Sequence, residues 1–187
     1  MKNTKLALAL AVMLIASATM FAQKPLFRPR MEIATFETEQ AGTVQKALEV
    51  FYMDDETPRT YYLSLGRMGI GGDIVQLDLD PVSELFIPLG NTLEEAVAKM
   101  EEIKAFFGQP KLSTMEVRGS LSIAYPGSEL VPVKVTRRQA LASKLLEFSI
   151  PVPGEDGFVR AAYVSKSDFG SLLSSVKIYR KIHPKVK

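Results

Sequence analysis

The chain has 187 residues, 47% of them apolar and 24% charged, with a formal net charge of +2. It has one histidine, His183, no tryptophan and no cysteine, which excludes disulfides, a catalytic thiol, Cys-ligated zinc or iron–sulfur centres, and any site needing two histidines. Apolar content at this level predicts an ordinary folded domain and not a disordered chain.

Lys2 and Lys5 precede an unbroken apolar run over residues 6–16, and a small, more polar stretch follows over 17–23. That order is the signature of a secretory signal peptide. Ala16 and Ala18 offer one cleavage point, before Thr19. The other follows Ala22 and is preferred, because Met20-Phe21-Ala22-Gln23 resembles the leaders of exported Bacteroidetes proteins. The apolar run is short for a membrane span of about 20 residues, and no cysteine follows it to carry a lipid. Residues 1–22 hold two lysines and no acid, so the remainder has 21 basic and 21 acidic residues and no net charge. The expectation is a protein of the periplasm or the extracellular space, without a stable membrane anchor after cleavage. A chain of zero net charge lacks the electrostatic footprint of a nucleic-acid binder.

Residues 23–30 contain two prolines and three basic residues and read as a flexible lead-in. A single domain is expected over 31–183. Residues 31–36 alternate weakly; residues 44–53 and 59–65 are rich in β-formers, and Asp54-Asp55-Glu56-Thr57-Pro58 joins them as a hairpin turn. Residues 73–79 alternate, with Val75, Leu77 and Leu79 on one face. Residues 85–87, between Pro81 and Pro88, read as a buried or an edge strand. A helix over 92–107 is the clearest element. Thr92 and Glu95 make a capping box, Leu93, Val97, Met100, Ile103 and Phe107 form an apolar stripe, and Gly108 and Pro110 end it.

Residues 115–123 alternate, Pro126-Gly127 is a turn, and residues 131–136 alternate again, with Pro132 suggesting an edge position early in that strand. Residues 144–150 and 158–164 flank a Pro-Gly-rich turn over 153–157. Ser167-Asp168 caps a second helix over 167–181, whose stripe is Phe169, Leu172, Leu173 and Val176. The fold class expected is α+β, a mostly antiparallel sheet of about seven to eight strands with two amphipathic helices. Lys46-Ala47-Leu48-Glu49-Val50 echoes Lys144-Leu145-Leu146-Glu147-Phe148. A duplicated sheet-then-helix unit, with halves 31–109 and 110–183, would account for the echo, as would two hairpins converging on similar residues.

Chemical signatures are sparse. The glycines of 66–72 lead into a strand and lack a phosphate-loop pattern. Asp73, Asp78, Asp80 and Glu84 form an acidic series without calcium-loop spacing. Ser174 and Lys177 match S-x-x-K, but its companion motifs are missing. His183 stands too near the end of the chain for a rigid triad. These features predict no metal and no cofactor. They favour a non-catalytic exported module that binds a protein or glycan partner. A small hydrolase using an Asp/Glu pair is the alternative, and an inhibitor or structural envelope protein a third reading. Tyr61 and Tyr62 project to opposite faces of one strand beside the glycine-rich loop, so Tyr61, Tyr62, Arg67, Met68 and Asp73 are the candidate contact region.

Overall fold

The computed structural model describes residues 30–40, 43–67, 69–71, 76–77, 84–122, 126–127, 129–140, 142–151 and 159–184. The expected leader over 1–22, most of the lead-in, Met68, Asp73, Asp78, Asp80 and the expected turn at 153–157 lie outside them.

The strands are β1 (Arg30–Gln40), β2 (Thr43–Met53), β3 (Tyr61–Arg67), β4 (Gly69–Gly71), β5 (Gln76–Leu77), β6 (Glu84–Gly90), β7 (Thr114–Ser122), β8 (Val131–Ala140), β9 (Ser143–Pro151) and β10 (Val159–Ser165). The helices are α1 (Leu93–Phe106), after β6, and α2 (Lys166–Ile182), after β10. The architecture is α+β. All the strand pairs are antiparallel, and the order across the sheet is β1-β2-β3-β6-β7-β8-β9-β10-β4-β5. Four long strands followed by α1, then four more followed by α2, reproduce the expected sheet-then-helix layout. Strands β4 and β5 are two short additions of three and two residues.

The sheet curls. One residue separates β3 from β4, yet β3 pairs with β2 and β6 while β4 pairs with β10. The two ends of the strand order therefore meet across residues 61–71. Both helices fill the inside of the curl. Helix α1 packs on β3 and β6, and α2 packs on β1, β2, β9 and β10. Inward residues of the strands, including Val50, Leu63, Ile87, Val133, Val135, Phe148 and Val164, join Leu93, Met100, Ile103, Phe107, Phe169, Leu172 and Val176 in one buried cluster. Burial at roughly 25 cal/mol per Å² of apolar surface makes this cluster the main stabilising term of a chain without disulfides. The Phe107 and Phe169 rings, 6.0 Å apart, join the end of α1 to the start of α2, and Lys177 bonds Glu101 across the two helices.

Two sequence expectations are corrected and one is met. Helix α2 is capped by Ser165, whose hydroxyl accepts from the Asp168 N–H; Ser167 lies inside the helix. Ser165 is also the last residue of β10, so the chain turns straight from strand to helix and the cap falls at that junction. Strand β8 lies between β7 and β9, but the β8–β9 register begins only at Lys134, so Pro132 holds the edge position expected early in the strand. Arg30, expected in the lead-in, opens β1. Its guanidinium bonds Glu49 at 3.2 Å and Glu84 at 2.8 Å and lies over the rings of Phe51 and Phe86. A cation held between two carboxylates and two aromatic faces binds three strands together on the side of the sheet away from the helices.

The capping box of α1 is present as expected, with Thr92 accepting from the Glu95 N–H at 3.2 Å and Glu95 accepting from the Asn91 and Thr92 N–H groups. It depends on Gly90, whose φ is +129° and whose missing Cβ leaves room for Glu95; a Cβ there would stand 2.5 Å from the Glu95 Cβ. Thr92→Ala should cost about 1 kcal/mol. Gly90→Ala adds a strained φ and a steric conflict to the loss of the box and should cost more, about 2–3 kcal/mol. Urea unfolding of the two variants checks the order of their midpoints.

Candidate functional site: a polar groove on the outer sheet face

Alternation along β7–β10 sends one set of side chains to the helices and the other outward. The outward set forms rows across the strands. Thr114 stands opposite Thr136, Thr136 opposite Glu147, and Glu147 opposite Tyr163. A neighbouring row runs from Glu116 through Lys134 and Ser149 to Ala161. Over these rows lies a groove of about 530 Å³. Thr136, Glu147 and Ser149 make its buried floor. Tyr163, Arg138 and Gln139 border it, and so does Leu112, which is 56% exposed and held at φ 70° in the turn before β7.

The electrostatics centre on Glu147. Arg138 grips both of its carboxylate oxygens, Nε to Oε2 at 3.0 Å and Nη2 to Oε1 at 3.1 Å. This parallel two-bond contact is the strongest form of Arg–carboxylate pairing. The carboxylate is only 8% exposed while the guanidinium is 38% exposed, so the pair presents its cationic side to the groove. Burial, and then the bond to Glu147, push the Tyr163 phenol up to about 12. Tyr163 is nonetheless 46% exposed, and its ring forms part of the groove surface. Among the lining residues Glu147 is the one carboxylate.

The sequence-derived contact region is placed differently. Tyr61 and Tyr62 do point to opposite faces. Tyr61 is 0% exposed, in the core cluster against Tyr52, while Tyr62 is half-buried, stacked on Phe51, with its hydroxyl donating to Glu56. Arg67 is at the end of β3, opposite Glu84 in register. Met68 and Asp73 lie outside the described residues. His183 packs against the Tyr179 ring at 4.3 Å. Among the described residues no group of three or more His, Cys, Asp or Glu could hold a metal ion, and no helix is long and apolar enough to cross a membrane.

Sequence reasoning passed over Glu147, Arg138 and Tyr163 as site residues. The echo of Glu49 and Glu147 was the available signal. Both glutamates are buried on the outer face, each stands opposite a threonine (Thr35 and Thr136), and each is paired with an arginine. Comparison of the chain with protein-family models, with curated proteins and with solved structures finds no match to any of them.

The Tyr163 phenol holds its proton more tightly in the folded state than an ordinary tyrosine, whose pKa is about 10. Its stabilising contribution is therefore complete below about pH 10 and is lost as pH rises from there toward about 12. Absorbance titration at 295 nm should place one phenol in a step near pH 12 that Tyr163→Phe removes. The same variant should lose less stability than the parent across that interval.

Proposed function

We propose that this protein is an exported, non-catalytic α+β module and that the groove over β7–β10 binds a glycan. The observation that carries this reading is the groove's composition: a floor of hydroxyls and one carboxylate, with an accessible phenol ring at its border. Sugar hydroxyls both donate and accept. Thr136, Ser149, Gln139 and the Arg138–Glu147 pair offer complementary groups, and an aromatic face such as Tyr163 packs against the C–H face of a sugar ring. The volume lies within the range of small-ligand sites. A protein partner would find few apolar anchors on this surface, where Leu112 and Tyr163 are the two large exposed hydrophobic side chains among the described lining residues.

Hydrolysis by an acid pair needs two carboxylates roughly 5–10 Å apart across the scissile bond. Among the described residues the groove lining supplies Glu147 alone, with both oxygens engaged by Arg138. That arrangement supports holding a ligand over cleaving one.

Calorimetric titration of the chain lacking residues 1–22 with a panel of neutral oligosaccharides tests the reading. Tyr163→Ala should weaken the binding by about tenfold, in line with loss of an aromatic anchor. Unchanged affinity of a folded Tyr163→Ala protein would move the site elsewhere, and product release that stops in Glu147→Gln would replace binding with catalysis. For export, expression of the full chain in a bacterial host should yield a periplasmic product whose N-terminus is residue 23. A full-length cytoplasmic product would refute the leader.

A further inference from the structure

A second cavity, of about 940 Å³, opens where α1, α2 and the β8–β9 hairpin converge. Three lysines from three elements border it: Lys104 near the end of α1, Lys144 at the start of β9 and Lys166 at the start of α2. Five serines complete most of the lining: Ser143, Ser165, Ser167, Ser171 and Ser174. Among the described residues no Asp or Glu lines it.

The three lysines differ from the cations that are held in ion pairs. Arg30, Lys99, Arg138 and Lys177 each meet a carboxylate at salt-bridge distance. Lys104, Lys144 and Lys166 form no ion pair with a described residue. Two acids close to them in sequence are committed to other work. Glu101 is bonded to Lys177, which holds its carboxyl below the usual range. Asp168 accepts from Ser167 in the first turn of α2. The Ser165 hydroxyl already caps that turn, so the cleft's capacity for an anion lies in its lysines and in hydroxyls such as those of Ser143 and Ser171. Lys104 does help to hold the Glu101 carboxyl down, but without a salt bridge. Three cations around one cavity repel each other, and an anionic group between them removes that repulsion while accepting charge-assisted hydrogen bonds.

The cleft and the groove share the β8–β9 hairpin. Gln139, Ala140 and Leu145 line the groove, while Ala142, Ser143 and Lys144 line the cleft. Leu145 of the groove stands opposite Ser165 of the cleft in the β9–β10 register. We infer that the cleft is a subsite for a sulfate or phosphate ester carried by the saccharide whose rings occupy the groove. The saccharide half of this statement rests on the glycan reading of the groove; the anion half rests on the cleft alone.

Two titrations of the chain lacking residues 1–22, at low salt, separate the halves. Inorganic pyrophosphate probes the cleft by itself. Sulfated, phosphorylated and unsubstituted forms of one oligosaccharide probe the link between the two sites. The variant carrying Lys104→Gln, Lys144→Gln and Lys166→Gln should lose pyrophosphate affinity by about tenfold or more, as expected when several charges facing one anion are removed. A control carrying Lys111→Gln, Arg180→Gln and Lys181→Gln, with the same change in net charge, should keep it. Equal affinities in parent and triple variant, or equal losses in variant and control, would overturn the anion site. One esterified saccharide should bind about tenfold tighter than its unsubstituted form, with that gain abolished in the triple variant. Pyrophosphate binding lost in the triple variant, without any gain from the ester, would overturn the saccharide link and leave a plain anion site. Failure of the groove would show instead as Tyr163→Ala leaving unsubstituted-saccharide binding unchanged. Capture by anionic lipid vesicles, lost in the triple variant and without saccharide binding, would overturn the proposal in favour of a membrane surface.

Discussion

The apolar stripe of α2 is the constraint on which the rest of the molecule depends. Phe169, Leu172, Leu173 and Val176 are fully or almost fully buried, and the helix that carries them touches β1 and β2 as well as β9 and β10. Those strands stand far apart in the order of the sheet. One helix can touch them all only if the sheet curls around it. The energy for that curvature comes from removing this stripe and the matching stripe of α1 from water, about 1.5–3 kcal/mol for each large side chain. The Phe107–Phe169 contact and the Glu101–Lys177 bond then set the two helices against each other inside the curl.

Once the inner face is committed to the helices, every strand turns its alternate residues outward. At the β1–β2–β3–β6 end these residues bury themselves against one another: Phe51, Met53 and Phe86 form a small separate cluster, with Tyr62 packed on it and Arg30 over two of the rings. At the β7–β10 end they stay polar and form a groove. The two ends thus use the same device, a buried glutamate paired with an arginine, toward different results. Around Glu49 it ties strands together, and around Glu147 it orients polar groups toward a cavity.

Much of the fold was legible because it is local. A capping box, stripes at helical spacing, hairpin turns and alternation are written within ten or fifteen residues, and among the described residues both helices and most of the strands they predict are present. The site was less legible. Tyr61 and Tyr62 drew notice as adjacent aromatics near a glycine cluster, yet which face of β3 would be sealed depended on helices from other parts of the chain, and Tyr61 fell on the sealed side. Glu147, Arg138 and Tyr163 come from three strands and make a group only through the register of β8, β9 and β10. Lys104, Lys144 and Lys166 are spread over more than sixty residues of an evenly charged chain, and composition alone gives no hint of their convergence.

By itself, the sequence determined the element types, the two amphipathic helices and the absence of thiol and multi-histidine chemistry, because these follow from residue identity and short-range spacing. It also settled that core burial and not cross-linking must hold the domain together. Only the tertiary structure decided which face of each strand meets the helices, that the sheet ends meet across residues 61–71, and which charges face a partner of opposite sign. Those outcomes depend on strand register and on long-range packing. A one-residue shift in pairing would send every side chain of a strand to the other face, and local periodicity is blind to that choice.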